Sequence, residues 1–138
     1  MYLIRKGKEY FFPIIDESVQ KEALELLSSK EKTYFLEMGK YDRYHSLEVY
    51  RKIKETSLKE KEIYLKMALL HDCGKEKIGI IVRVLHKLGI KTGLGNHAEK
   101  GYEKLKDDNM ELAVLIRNHH NKYYSEEMKI FQKYDDES

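Results

Sequence analysis

The stretch Ala68-Leu-Leu-His-Asp-Cys-Gly-Lys75 runs an apolar helical stripe directly into an imidazole and a carboxylate, just before a glycine. Ile63, Met67, Leu70 and His71 fall at i, i+4, i+7 and i+8, so His71 continues the inward face of the helix preceding it. An ionised Asp72 at the rim of a core is costly unless its charge is offset, and a cation offsets it. The fold must therefore bring other metal-competent side chains to the same place.

Helical phase identifies which ones. His45 shares a stripe with Tyr41, Val49 and Ile53, and His119 lies i+7, i+4 and i+3 from Leu112, Leu115 and Ile116. Asp135 lies i+7 and i+4 from Met128 and Phe131, with Asp136 beside it. His97 is placed differently, in the first turn of its helix after the glycine-containing stretch from Gly89 to Gly95. Taken singly, a histidine on an apolar stripe is more often a hydrogen-bonded core residue, and a terminal Asp is ordinarily solvated. The coincidence of five such residues on separate helices favours metal ligation. His86 has no partner in this pattern and reads as an ordinary helix residue, while Cys73 reads as a small apolar residue.

Composition bounds the remaining choices. The 138 residues suffice for one domain with a single core, and 36% charged against 41% hydrophobic residues describes a soluble protein rather than a disordered one. The longest apolar stretch, residues 78–85, contains Arg83 and is too short to cross a bilayer. The first residues lack the features of a signal peptide, and the single cysteine excludes an intrachain disulfide, so a cytoplasmic location is expected. Net charge is only +2, and the mixed run from Lys52 to Glu62 reads as a solvated helix face, which argues against a nucleic-acid partner. Several of the 11 tyrosines recur at helical spacing with aliphatic residues, so most are expected at the core edge with the hydroxyl in water.

Residues 2–15 are rich in β-formers around Lys6-Gly-Lys8 and predict a short β-hairpin or an irregular lead-in. From Asp16 onward the pattern is helical. Ser18 is expected to cap a helix through Leu27, and Ser28 or Ser29 the next, with Tyr34, Phe35 and Met38 inward. Further helices are expected over 41–55, from Ser57 with Glu60 as a capping box, over 75–88, and from Asn96 with Glu99 at the third position. Asp107 or Asp108 opens another, ending near His120, and Ser125 opens the last. The expected fold is all-α, one compact bundle of about seven helices joined by short connections, with residues 1–27 as a lead-in plus first helix and 28–138 as the main helical unit.

The order His45, His71-Asp72, Asp135 resembles the HD-domain superfamily, helical metal-dependent phosphohydrolases named for that pair. The likeness extends well beyond the pair. Tyr41-Asp-Arg-Tyr-His-Ser-Leu-Glu-Val49 resembles the first motif and Ala68-Leu-Leu-His-Asp-Cys-Gly-Lys75 the second. His97-Ala-Glu-Lys-Gly101 and Ile116-Arg-Asn-His-His120 resemble two motifs of the two-metal branches, and Phe131-Gln-Lys-Tyr-Asp-Asp136 the closing segment, with Asp135 as the better ligand fit. The resemblance spans about residues 28 to 137; Cys73 stands where an aliphatic residue is usual.

The resemblance implies a first ion held by His45, His71, Asp72 and Asp135. A second would use Asp72 as a bridge with His97, His119 and, as a further candidate, His120. An all nitrogen and oxygen donor set suits manganese, iron, zinc or magnesium. Two such ions roughly 3.5–4 Å apart would activate a hydroxide as nucleophile, with Asp72 central to catalysis. Lys75 resembles the lysine of the family's His-Asp-x-Gly-Lys motif that can meet substrate phosphate; the competing reading is a surface lysine opening a helix. Arg43 and Arg117 are weaker phosphate candidates and receive no assignment. The implied activity is hydrolysis of a nucleotide or other small phosphate ester. Two alternatives remain open: a diiron oxygenase, since some HD-domain proteins use the same ligands for that chemistry, and a regulatory module without turnover.

Overall fold

The computed structural model describes residues 13–75, 88–89 and 96–138, and among these residues the regular structure is seven α-helices and one short 3-10 turn. In chain order they are α1 (Glu17–Leu26), α2 (Ser29–Glu37), α3 (Lys40–Ile53), the 3-10 turn (Ser57–Glu60), α4 (Glu62–Leu70), α5 (His97–Leu105), α6 (Met110–Arg117) and α7 (Glu126–Asp136). No strand occurs among the described residues. The all-α expectation is met. The expected hairpin falls mostly, and the helix over 75–88 and His86 almost wholly, outside the described residues.

The helix starts follow side-chain chemistry, with some shifts. Asp16, not Ser18, caps α1: its Oδ1 accepts from the Ser18 and Val19 amides at 3.0 and 3.3 Å. Ser28 and Glu31 form the reciprocal capping box of α2. The box expected at Ser57 and Glu60 is absent. Thr56 Oγ1 accepts from the Leu58 amide, these residues form the 3-10 turn, and α4 starts only at Glu62. Asn109 rather than Asp107 or Asp108 caps α6, and Ser125 caps α7 as expected. Short polar side chains compete for such positions, and tertiary placement decides among neighbours.

Helix α4 is the centre of the bundle. Met67, Ala68, Leu69 and Leu70 are each buried, so the helix has no wet side along its last turn, as a central helix requires. It packs against α3 and α6, while α5 pairs with α6 and α7 with α3. Phe35, Ile53, Leu58, Leu105, Leu112, Ile116, Met128 and Phe131 fill the space between, each fully buried. Burial of side chains this size contributes about 1.5–3 kcal/mol apiece. Among the described residues, no helix is long and apolar enough to cross a membrane.

This arrangement delivers several chain segments to one end of α4. The turn after α4, the N-terminus of α5, the turn after α6 and the last turn of α7 converge there beside the first half of α3.

Candidate metal centre

His71 and Asp72 occupy the turn that closes α4, and both are buried. His71 Nδ1 donates to the Ala68 carbonyl at 2.9 Å. Because a carbonyl only accepts, that bond puts the proton on Nδ1 and leaves Nε2 with a free lone pair in the neutral ring. Asp135 Oδ1 lies 3.1 Å and Asp72 Oδ2 3.3 Å from this Nε2. Neither oxygen meets it in hydrogen-bonding geometry, so Nε2 is a buried polar atom without a hydrogen-bond partner. His45 projects from α3 into the same space, its Nε2 2.8 Å from Asp135 Oδ1 and 4.0 Å from Asp72 Oδ2.

A second group stands alongside. His119, in the turn after α6, repeats the His71 arrangement, with Nδ1 donating to the Ile116 carbonyl at 2.6 Å. Its Nε2 faces His97 Nε2 at 3.2 Å, and His120 Nε2 lies 3.3 Å from the same His97 atom. Three imidazole nitrogens facing one another cannot all be satisfied by protons, since His97 can direct its own at only one neighbour. Asp72 joins the two groups. Its Oδ2 faces His71 and His45, and its Oδ1 lies 3.3 Å from His97 Nε2.

The electrostatics favour ionised carboxylates and, at His119 and His120, neutral rings. Burial alone would raise Asp72, but His71, Lys75 and His45 outweigh it and hold the carboxyl well below its usual range. Asp135 is likewise lowered: burial opposes ionisation, and His71 and His45 more than compensate. Burial, aided by the charges of His71 and His120, pushes His119 down to about 3, and burial also lowers His120. His71 moves up. Burial would lower it, yet Asp72 and Asp135 draw a proton to the position a cation would take. Ionised carboxylates and neutral imidazoles are the forms that ligate metals, so the donor set fits such a group. The triads His45, His71, Asp72 and His97, His119, His120 each bring ligand atoms within 4.8 Å of one another and could each hold an ion.

A family model described as HD domain matches residues 43–137. The chain belongs to the HD-domain family. No curated protein and no solved structure matches it. Members of the HD-domain family are mostly metal-dependent hydrolases, and α1 and α2 of this HD domain lie outside the matched span.

Around the HD pair, the other predicted residues separate clearly. Lys75 Nζ lies 3.4 Å from Asp72 Oδ2, and its side chain is only 14% exposed, so it turns into the site rather than out to solvent. Arg117 points elsewhere: it pairs with both carboxylate oxygens of Glu99 at 2.9 and 2.6 Å and lies over the Tyr102 ring. Glu99, expected to support the start of α5, is used in that pair, and Asn96 makes no side-chain cap bond. Arg43 reaches Gln20 on α1. Cys73 is buried as an apolar residue, and burial pushes its thiol up to about 12. Asp135 faces the site and Asp136 is exposed.

Several further residues support the site. Phe131 sets its ring edge-on to both His71 and His119, at centroid distances of 5.2 and 6.2 Å. Tyr41 lies parallel to His45 one turn earlier on α3. Gln132 Nε2 donates to the carbonyls of His119 and Asn121, fixing the turn that carries the histidines. The last turn of α7 is also tied down, because Lys52 Nζ donates to the Glu137 carbonyl and to Ser138 Oγ at 3.2 and 2.9 Å.

Proposed function

We propose that this HD domain is a metal-dependent phosphohydrolase acting on a nucleotide or another small phosphate ester. The observation that carries the reading is Asp72, whose two oxygens face two separate groups of imidazole nitrogens. His45, His71, Asp72 and Asp135 would hold one ion, and Asp72, His97, His119 and His120 a second. Divalent ions bound there would supply a water of lowered pKa and positive charge opposite a phosphoryl oxygen. Nitrogen and oxygen donors suit manganese, iron, zinc or magnesium.

The chain's own residues would do the rest. The carbonyls of Ala68 and Ile116 lock His71 and His119 in the tautomer whose Nε2 faces inward. Phe131 keeps the floor of the site apolar, which strengthens every charge interaction above it. Lys75, already drawn toward Asp72, would meet a substrate phosphate oxygen as a point charge. The inward lysine supports an anionic substrate, as a phosphate ester is.

A phosphatase panel with manganese, spanning nucleotides, dinucleoside polyphosphates and cyclic dinucleotides, tests this reading. Turnover of at least one class by the parent and its loss in Asp72→Ala are expected. Equal activity in both proteins would reject it, and turnover of none would favour a binding module.

A further inference from the structure

Two glycines, Gly74 and Gly101, stand where described segments beside the site pack closely. A Cβ on Gly74 would fall 2.0 Å from the His97 carbonyl oxygen and 2.5 Å from the Gly101 amide nitrogen, both backbone atoms. A Cβ on Gly101 would meet Ile116 Cγ2 at 2.8 Å and Cys73 Sγ at 3.5 Å. At Gly74 the crowding atoms are backbone, so only glycine lets the turn after Asp72 lie against the first turn of α5, whereas at Gly101 the Ile116 side chain sets the limit. Lys104, one turn further along α5, donates to the Cys73 carbonyl at 2.8 Å and ties the same two segments together.

The contact is connected to both ends of the second ligand group. His97 opens α5, and its Nε2 stands 3.3 Å from Asp72 Oδ1. Ile116, which Gly101 touches, offers the carbonyl that accepts from His119 Nδ1. We propose that Gly74 and Gly101 are positioning residues. Their missing side chains set the spacing of His97 and His119 from Asp72, and hence the second metal site, while the group of His45, His71 and Asp135 is built without them. The metal-binding part of this inference rests on the proposed two-ion reading; the imidazole geometry does not.

The variant Gly101→Ala tests it, because the crowded atom is the tip of one side chain and can be removed. Ile116→Leu takes away the Cγ2 branch at constant volume, whereas Ile116→Val keeps that branch. Long-range 1H–15N spectra of the metal-free protein should show the His97 and His119 imidazole signals shifted in Gly101→Ala, with those of His45 and His71 in place. Adding Ile116→Leu should restore the shifted signals, and adding Ile116→Val should not. In a cobalt titration, Gly101→Ala should weaken the second binding event about tenfold or more, as loss of a ligand-orienting partner does, and leave the first unchanged. Unmoved signals in Gly101→Ala, equal movement of all four histidines, or equal rescue by leucine and valine would each overturn the proposal. A parent that binds no cobalt would instead reject the two-ion reading, and the spectra alone would then decide the role of the glycines.

Discussion

Asp135 Oδ1 stands 2.8 Å from His45 Nε2 although 90 positions separate the two residues in the chain. The same oxygen is 3.1 Å from His71 Nε2, so the last turn of α7 closes a space begun by α3 and α4. Asp135→Asn keeps the shape and removes the charge. It is expected to release the ion of the first group while the second retains its three imidazoles. Hydrolysis should fall by more than the roughly 10–100-fold typical of residues that only orient a ligand. Metal content and turnover measured on the same preparation check this; unchanged content would show that Asp135 is not a ligand.

Glu31 predicts the acid stability of the bundle. It is buried on α2, where burial opposes its charge, but the Ser28 amide, Lys66 and Asn109 outweigh that and hold it below the ordinary value of 4.5. Because the folded state binds its proton less readily than the unfolded chain, its contribution is complete above about pH 4.5 and fades as pH drops toward the lower folded value. Glu31→Gln should lose about 1.5–3 kcal/mol at neutral pH, the worth of hydrogen bonds to a charged group, and much less at pH 3. Urea melts across that range would show the two proteins converging in acid; parallel curves would contradict the assignment.

The inward direction of His45, His71, His119 and Asp135 was legible because each continues an apolar stripe, and a stripe reports burial regardless of the helix's neighbours. What helical phase does not encode is which polar atoms meet. The pairing of Glu99 with Arg117, not with the start of α5, depends on α5 and α6 lying side by side. Thr56 replaced Ser57 as a cap for a related reason: the chain tightens into a 3-10 turn that buries Leu58. The contact of Gly74 and Gly101 could not be read either, since an absent side chain leaves no periodicity.

Lys75 and Arg117 were both candidates for phosphate, and the geometry separates them. Lys75→Met should raise KM for a phosphate substrate about 10-fold or more, the equivalent of a charge-assisted hydrogen bond, with metal content unchanged. Arg117→Ala should leave KM within about twofold, because its guanidinium is committed to Glu99 and Tyr102 on the surface, where such pairs are weak. Steady-state kinetics on the two variants would reverse the assignment if Arg117→Ala proved the more damaging.

Cation binding should also appear as stability. Asp72 and Asp135 are held ionised in the interior by imidazoles and, at Asp72, by Lys75, a weaker counter-charge than a divalent ion in the same space. A ligand that binds only the folded chain stabilises it by about 2.7 kcal/mol at 100 times its dissociation constant. Exhaustive chelation should therefore lower Tm, and manganese should restore it in a concentration-dependent way. In Asp72→Asn, where the carboxylate shared by both groups is neutral, the manganese-dependent rise should largely vanish. Equal rises in the parent and this variant would place the stabilising ion elsewhere on the protein.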